Sequence, residues 1–151
     1  MAAKPIPEGY HTVTPYLTVR GAAKLIDFLK KAFGGEPVEL FKRPDGGIMH
    51  ASVKIGDSRI MLSDANDQMP ATQTSIFLYV NDVDATYKRA IAAGGISTME
   101  PMDQFWGDRS GGLRDPFGNR WMVATHKEDV STAEIEKRFE AFLKQQKNKA
   151  A

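Results

Sequence analysis

The 151-residue sequence contains no cysteine and only three histidines. Without cysteine there is no disulfide framework, no cysteine-bound zinc and no thiol nucleophile. Nor is there an excess of either charge. Twenty Lys and Arg stand against 19 Asp and Glu, a formal net charge of +1. General nucleic-acid binders carry a strong basic excess, so no nucleic-acid partner is expected. No apolar run approaches the roughly 20 residues of a membrane span. The first residues, Met1 to His11, hold prolines and a glycine but no apolar stretch that a secretory leader would need. No membrane partner is therefore expected, and a cytoplasmic location is. What remains is an ordinary globular composition, 42% hydrophobic and 26% charged. A chain of this length buries on the order of 70% of its unfolded surface in one domain.

Apolar periodicity divides the chain into elements. Val13–Val19 alternates as a strand, and Ala22–Phe33 reads as a helix with a broad apolar face of Leu25, Ile26, Phe28, Leu29, Ala32 and Phe33. Gly34-Gly35 stops that helix, because glycine takes the left-handed conformation cheaply. Pro37–Lys42 is a short strand, Pro44–Gly47 a turn, and Ile48–Ile55 with Arg59–Ser63 a hairpin. The pattern then restarts. Ser75–Val80 is a strand, and Asp82–Ala93 a helix ended by Gly94-Gly95. Ile96–Met102 is a strand, and a loop holds Trp106–Arg109. A second hairpin turns at Asp115–Asn119 into the strand Arg120–Thr125.

The restart has a register. Leu17 and Leu78 are 61 residues apart, as are Val19 and Val80, Arg59 and Arg120, and Met61 and Met122. The two double-glycine stops are 60 apart. Matched spacing of this kind marks an internal repeat. The expected fold is α+β, with two βαβββ modules at about 12–66 and 73–126 in a single domain. Their curved mixed sheets lie around a concave cavity, a common setting for a small-molecule site. A C-terminal helix follows at about 131–146. Ser131-Thr132-Ala133-Glu134 is its capping box. Ile135, Phe139, Phe142 and Leu143 form one apolar stripe, which is expected to dock on the chain's own sheet or on a partner subunit.

Several stretches resemble the vicinal oxygen chelate superfamily, which includes glyoxalase I, bleomycin-resistance proteins and extradiol dioxygenases. They are Thr14-Pro15-Tyr16-Leu17, Ala32–Gly35, Met49-His50-Ala51, Met61–Asp64 and Trp106–Gly111. The most specific runs from Asp115-Pro116-Phe117-Gly118-Asn119-Arg120-Trp121 to Ala124–Val130. The similarity covers roughly residues 8 to 140 and is nearest to the PhnB-like branch. It implies paired βαβββ modules, a cavity-bound ligand and a homodimer.

The resemblance also places a metal in the cavity, held from the first and last strands of each module. Carried onto this chain, those positions are Thr14, Met61, Ser75 and Met122. The superfamily pattern needs histidine, glutamate or glutamine there. A neutral hydroxyl is a poor ligand for a divalent cation, and a thioether suits Cu(I) rather than Zn²⁺, Ni²⁺ or Fe²⁺. No metal is expected at this site, and no cofactor. A nucleoside cofactor would want a Gly-rich loop between a parallel strand and a helix, and the sequence offers none.

Strand alternation supplies the expected lining. Tyr16, Met61, Phe77, Tyr79 and Met122 face the cavity, with Thr14, Ser52, Arg59, Ser63, Ser75, Arg120 and Ala124 beside them. His50 does so too, and it is the candidate acid or base because a histidine titrates near neutral pH. Trp106, Asp108 and Arg109 stand at the repeat position of the Pro44–Gly47 turn, hence at the rim. Trp106 offers a stacking face, Asp108 an acceptor, and Arg109 a fork for a carboxylate or phosphate. His126 reads as exposed or capping, and His11 as a surface residue. Two functions compete. One is a metal-free binder of a small organic molecule, of the bleomycin-resistance type. The other is a glyoxalase-like lyase or isomerase using His50, with any metal relocated to His50, Asp64 and Asp108. A lyase using the superfamily's own metal positions has the residues against it.

Overall fold

The computed structural model describes residues 2–151. It shows an α+β fold of two βαβββ modules. Module 1 comprises β1 (Tyr16–Val19), α1 (Ala22–Phe33), β2 (Glu36–Lys42), β3 (Ile48–Ile55) and β4 (Ser58–Asp64). Module 2 comprises β5 (Ser75–Tyr79), α2 (Val83–Ala92), β6 (Ile96–Asp103), β7 (Asp108–Arg114) and β8 (Arg120–His126), and α3 (Thr132–Ala150) follows. The sheets have matching orders, β1-β4-β3-β2 and β5-β8-β7-β6, each with one parallel pair.

The 61-residue spacing carries the strand pairing of one module onto the other. Tyr16 lies opposite Met61 and Leu17 opposite Leu62 in one parallel pair. Phe77 lies opposite Met122 and Leu78 opposite Val123 in the other. The helices start in the same register, at Ala22 and Val83. A residue is lost at the end of α2 and recovered in the turn between β7 and β8. There Arg114 pairs Arg120, whereas Lys54 pairs Arg59 in module 1. That slip corrects one expectation. Asp108 and Arg109 are not in a rim loop; they are the first two residues of β7.

Three smaller differences have local causes. β1 begins at Tyr16 rather than Val13, which is 82% exposed. Pro15 has no N–H to give a ladder, and its carbonyl accepts the last such bond, from the Met61 amide. Met49, which alternation with the buried Ala51 would place on the helix side, is exposed near a bulge where the β2–β3 register shifts between Phe41 and Lys42. Helix α3 runs on to Ala150, capped at Ser131 as expected.

The core lies between the sheets. Leu25, Leu29 and Ala32 of α1 are fully buried, together with Leu17, Leu62, Trp121 and Val123 of the strands. Each buried leucine contributes about 1.5–3 kcal/mol. The helices α1 and α2 pack on each other, and each covers one face of its own sheet. The Phe33 ring meets Trp121 across the modules at 4.9 Å. The modules thus meet through their helices, and the second face of each sheet turns away from this core. Among the described residues none on α3 is buried; Phe139 and Phe142 rest on Phe105 at 5.4 and 5.6 Å.

Candidate functional site

Alternation assigns the two uncovered faces. In module 1, Tyr16, Met61, Ser52 and His50 share a face opposite to Leu17, Leu62 and Ala51, which are buried under α1. The His50 ring lies between aromatic rings, 5.9 Å from Tyr16 and 6.4 Å from Phe41. Its Nε2 is 3.8 Å from Glu39 Oε2, too far for a hydrogen bond. The N-terminal segment reaches this face as a strap. The Tyr10 hydroxyl donates to Ser52 Oγ at 2.7 Å, and the Arg59 guanidinium sits 4.9 Å from the centre of the Tyr10 ring. Cation and ring attract through the ring quadrupole.

In module 2 the uncovered face carries Phe77, Tyr79, Met122 and Ala124 by the same parity, with Trp121 and Val123 buried behind. Phe77 and Tyr79 are 5.1 Å apart and half exposed. The face ends in a polar network around Asp108, which is only 3% exposed. Asp108 Oδ2 accepts from the Tyr79 hydroxyl at 3.0 Å and from Trp106 Nε1 at 3.2 Å. Asp108 Oδ1 meets His126 Nδ1 at 2.7 Å, and His126 Nε2 meets Asp129 Oδ1 at 2.9 Å. Burial pushes the Asp108 carboxyl up, but the bonds from His126, Tyr79 and Trp106 outweigh it and hold it below its ordinary value. The two carboxylates, Asp108 first, hold the His126 imidazole above its ordinary value. The bond to Asp108 raises the Tyr79 phenol.

Other expected site residues are engaged elsewhere. Arg109 alternates with Asp108 and so points to the helix side of the sheet. Its Nε and Nη2 clamp the Asp84 carboxylate of α2 at 2.8 and 2.9 Å, and Nη1 reaches Asp103 at 3.3 Å. Asp64 Oδ1 accepts the amides of Gly21 and Ala22 at 2.9 and 2.8 Å, and Oδ2 that of Ile48 at 2.7 Å. It closes the start of α1 and ties it to β3. His50, Asp64 and Asp108 are therefore not brought together. Among the described residues no three His, Asp or Glu side chains form a metal-holding group. The superfamily metal positions do not fit a borderline divalent cation either. Thr14 gives its hydroxyl hydrogen to the His11 carbonyl, and Met61 and Met122 offer only thioether sulfur.

Two clefts of about 340 and 310 Å³ lie near the start of α1, one beside Arg43 and Asp64 and one beside Thr72 and Phe117. Of the expected site residues only Asp64 lines either cleft. The sequence reading missed Tyr10, Glu39 and Phe41, because it assigned no facing to β2 or to the segment before β1. It also missed the Asp108–His126 pair. The signal was present: the alternation that places Met122 and Ala124 on the face places His126 there too, once the strand is carried one residue past Thr125.

The chain as a whole is similar to known proteins. The family model of the Glyoxalase/Bleomycin resistance protein/Dioxygenase superfamily matches residues 10–123. An uncharacterized protein of Mycobacterium tuberculosis is 36% identical over 135 residues, covering 82% of this chain and 79% of that one. Among solved structures, TioX from Micromonospora sp. ML1 is similar with a TM-score of 0.66 and 24% identity, over 77% of this chain and 98% of its own. The PhnB protein from Bacillus cereus is similar in fold, with a TM-score of 0.59 and 18% identity over 76% of this chain and 99% of its own. The matched span includes both helices and nearly all of both sheets, and the chain belongs to the glyoxalase/bleomycin resistance protein/dioxygenase superfamily.

Proposed function

We propose that this protein binds a small organic molecule in a cavity completed by a second copy of the chain. The module 1 face of one copy closes on the module 2 face of the other, and no metal sits at the superfamily's usual positions. One observation carries this reading. The two faces hold Tyr16, Phe41, Phe77 and Tyr79 at 39%, 53%, 47% and 66% exposure, while α1 and α2 fill the space between the sheets. Exposed aromatic surface of this extent marks a binding or association surface. Aromatic and thioether walls with a few hydroxyls and one or two imidazoles suit a planar organic ligand. The near-neutral charge lets two copies approach without repulsion.

Light scattering on the eluted protein is expected to give twice the chain mass, with Phe77→Lys giving the chain mass. A wild-type monomer would defeat the two-copy cavity. Elemental analysis of protein purified without a metal-affinity tag is expected to find metal well below one equivalent. Stoichiometric nickel, zinc or iron would defeat the metal-free reading. A second reading, a lyase or isomerase, draws on His50, whose imidazole makes no hydrogen bond among the described residues and belongs to the side-chain type most used for proton transfer. Loss of turnover of a small keto acid in His50→Ala, with ligand binding kept, would replace the binding reading by this one.

A further inference from the structure

His126 stands on the module 2 face in an arrangement that a merely structural histidine does not need. Asp108 is buried and uses both oxygens, one on His126 Nδ1 and the other on Tyr79 and Trp106. It therefore fixes the imidazole ring and favours its charged form. Nε2 is left pointing outward, and the group it meets there is Asp129, whose side chain is fully exposed. The chain segment around Asp129 is held without that bond. The amides of Lys127 and Glu128 both donate to the Gly107 carbonyl, and Arg138 of α3 clasps the Glu128 carboxylate. Asp129 is a solvent-borne carboxylate resting on a preorganised imidazole, where an external carboxylate would find the same partner.

The ring system beside it is built for the rest of such a ligand. Tyr79 is pinned through its hydroxyl to the same Asp108 carboxylate that holds His126, and its ring lies against Phe77. Two apolar rings, tilted 46° to each other, and an outward imidazole nitrogen are thus joined through one buried anion. We propose that His126 Nε2 is an anion-binding point of the cavity. It takes the carboxylate of an aromatic acid whose ring stacks on Tyr79 and meets Phe77 at an angle, while Asp129 swings away. This rests on the module 2 face being a ligand wall, and adds the class of ligand and the residue that selects it. The charged groups facing His126 are Asp108 from β7 and Asp129 from its own segment; Glu128 is taken by Arg138.

The test compares 1-naphthoate with its uncharged counterpart 1-naphthamide, by calorimetric titration of the full chain. At about pH 6, where a histidine is charged, the acid is expected to bind about tenfold tighter than the amide, as a charge-assisted hydrogen bond implies. The preference is expected to fade as pH rises above the imidazole's ordinary 6.5 and through its raised value. In His126→Gln the acid-to-amide ratio falls to about one, the fold-change expected when the charged donor is lost. In Asp129→Asn the ratio rises several-fold, because the competing carboxylate is gone. A purely structural role for His126 would leave that ratio unmoved. Equal binding of acid and amide by the wild type, or no gain in Asp129→Asn, overturns the proposal while leaving the face as a ligand wall. Failure of both probes to bind overturns the proposal together with the wall.

Discussion

Asp64 and Thr125 stand 61 residues apart and do the same work with different chemistry. Asp64 takes the Ala22 amide at the start of α1; Thr125 Oγ1 takes the Val83 amide at the start of α2, at 2.9 Å, and donates to the Val80 carbonyl. The carboxylate also serves the Ile48 and Gly21 amides; the three bonds, Ala22 first, together with the charge of Arg43 outweigh its burial and hold its carboxyl below the ordinary 3.8. Its stabilisation is therefore present at neutral pH and lost as pH falls through that lowered value. Asp64→Asn is expected to cost about 1–3 kcal/mol in urea denaturation at neutral pH, with the gap from wild type closing in acid. The histidine works with the opposite sign. A raised imidazole contributes stability fully below 6.5 and loses it as pH climbs through the folded value. His126→Gln should then differ most from wild type in mild acid and least in base. Proton-detected titration of the imidazole should show its midpoint falling toward 6.5 in Asp108→Asn. Sequence alone could pair neither residue. Asp108 and His126 meet because Asp108 pairs with His126 across the β7–β8 hairpin, a register set by a turn one step longer than its twin.

At the scale of elements, legibility followed the locality of the signal. Helix α1 matches its expected bounds because a 3.6-residue apolar stripe and Gly34, at φ 66°, define both its face and its end. Asp82 caps α2 by accepting the Ala85 amide, a signal that also lies in neighbouring residues. Strand β7 was hidden because Gly111 and Gly112 carry no side chain to show a period. They are small for a reason. A Cβ at Gly111 would fall 3.1 Å from Pro101, and one at Gly112 would fall 2.7 Å from Thr98 Oγ1, so larger residues would push β6 off β7. Helix α3 was legible as a helix, but its surroundings were not, since an apolar stripe does not say what it meets. It is about 28 Å long at 1.5 Å per residue and touches the rest of the chain near Phe105 and Arg138. Its amides are expected to exchange with solvent well before those of α1, β4 and β8, which hydrogen-exchange mass spectrometry would resolve.

For the whole molecule, the repeat made the architecture readable, and the modules' mutual arrangement stayed out of reach. Side-chain parity says which residues share a face but not what that face meets. The answer depends on α1 and α2, whose buried sides Phe33 and Trp121 join. The pairing proposed through the outer faces would make stability a matter of concentration. The melting temperature should rise with protein concentration in the wild type and stay level in Phe77→Lys.

The helix-to-helix junction has a genetic consequence. Because each cavity of the proposed pair borrows one wall from each copy, defects in different modules sort between cavities. A copy damaged in its module 1 face at His50, mixed with one damaged in its module 2 face at His126, assembles one doubly damaged cavity and one wholly intact cavity. Two chains weakened in binding would restore it to each other, a behaviour closed to any protein whose pocket lies inside a single chain.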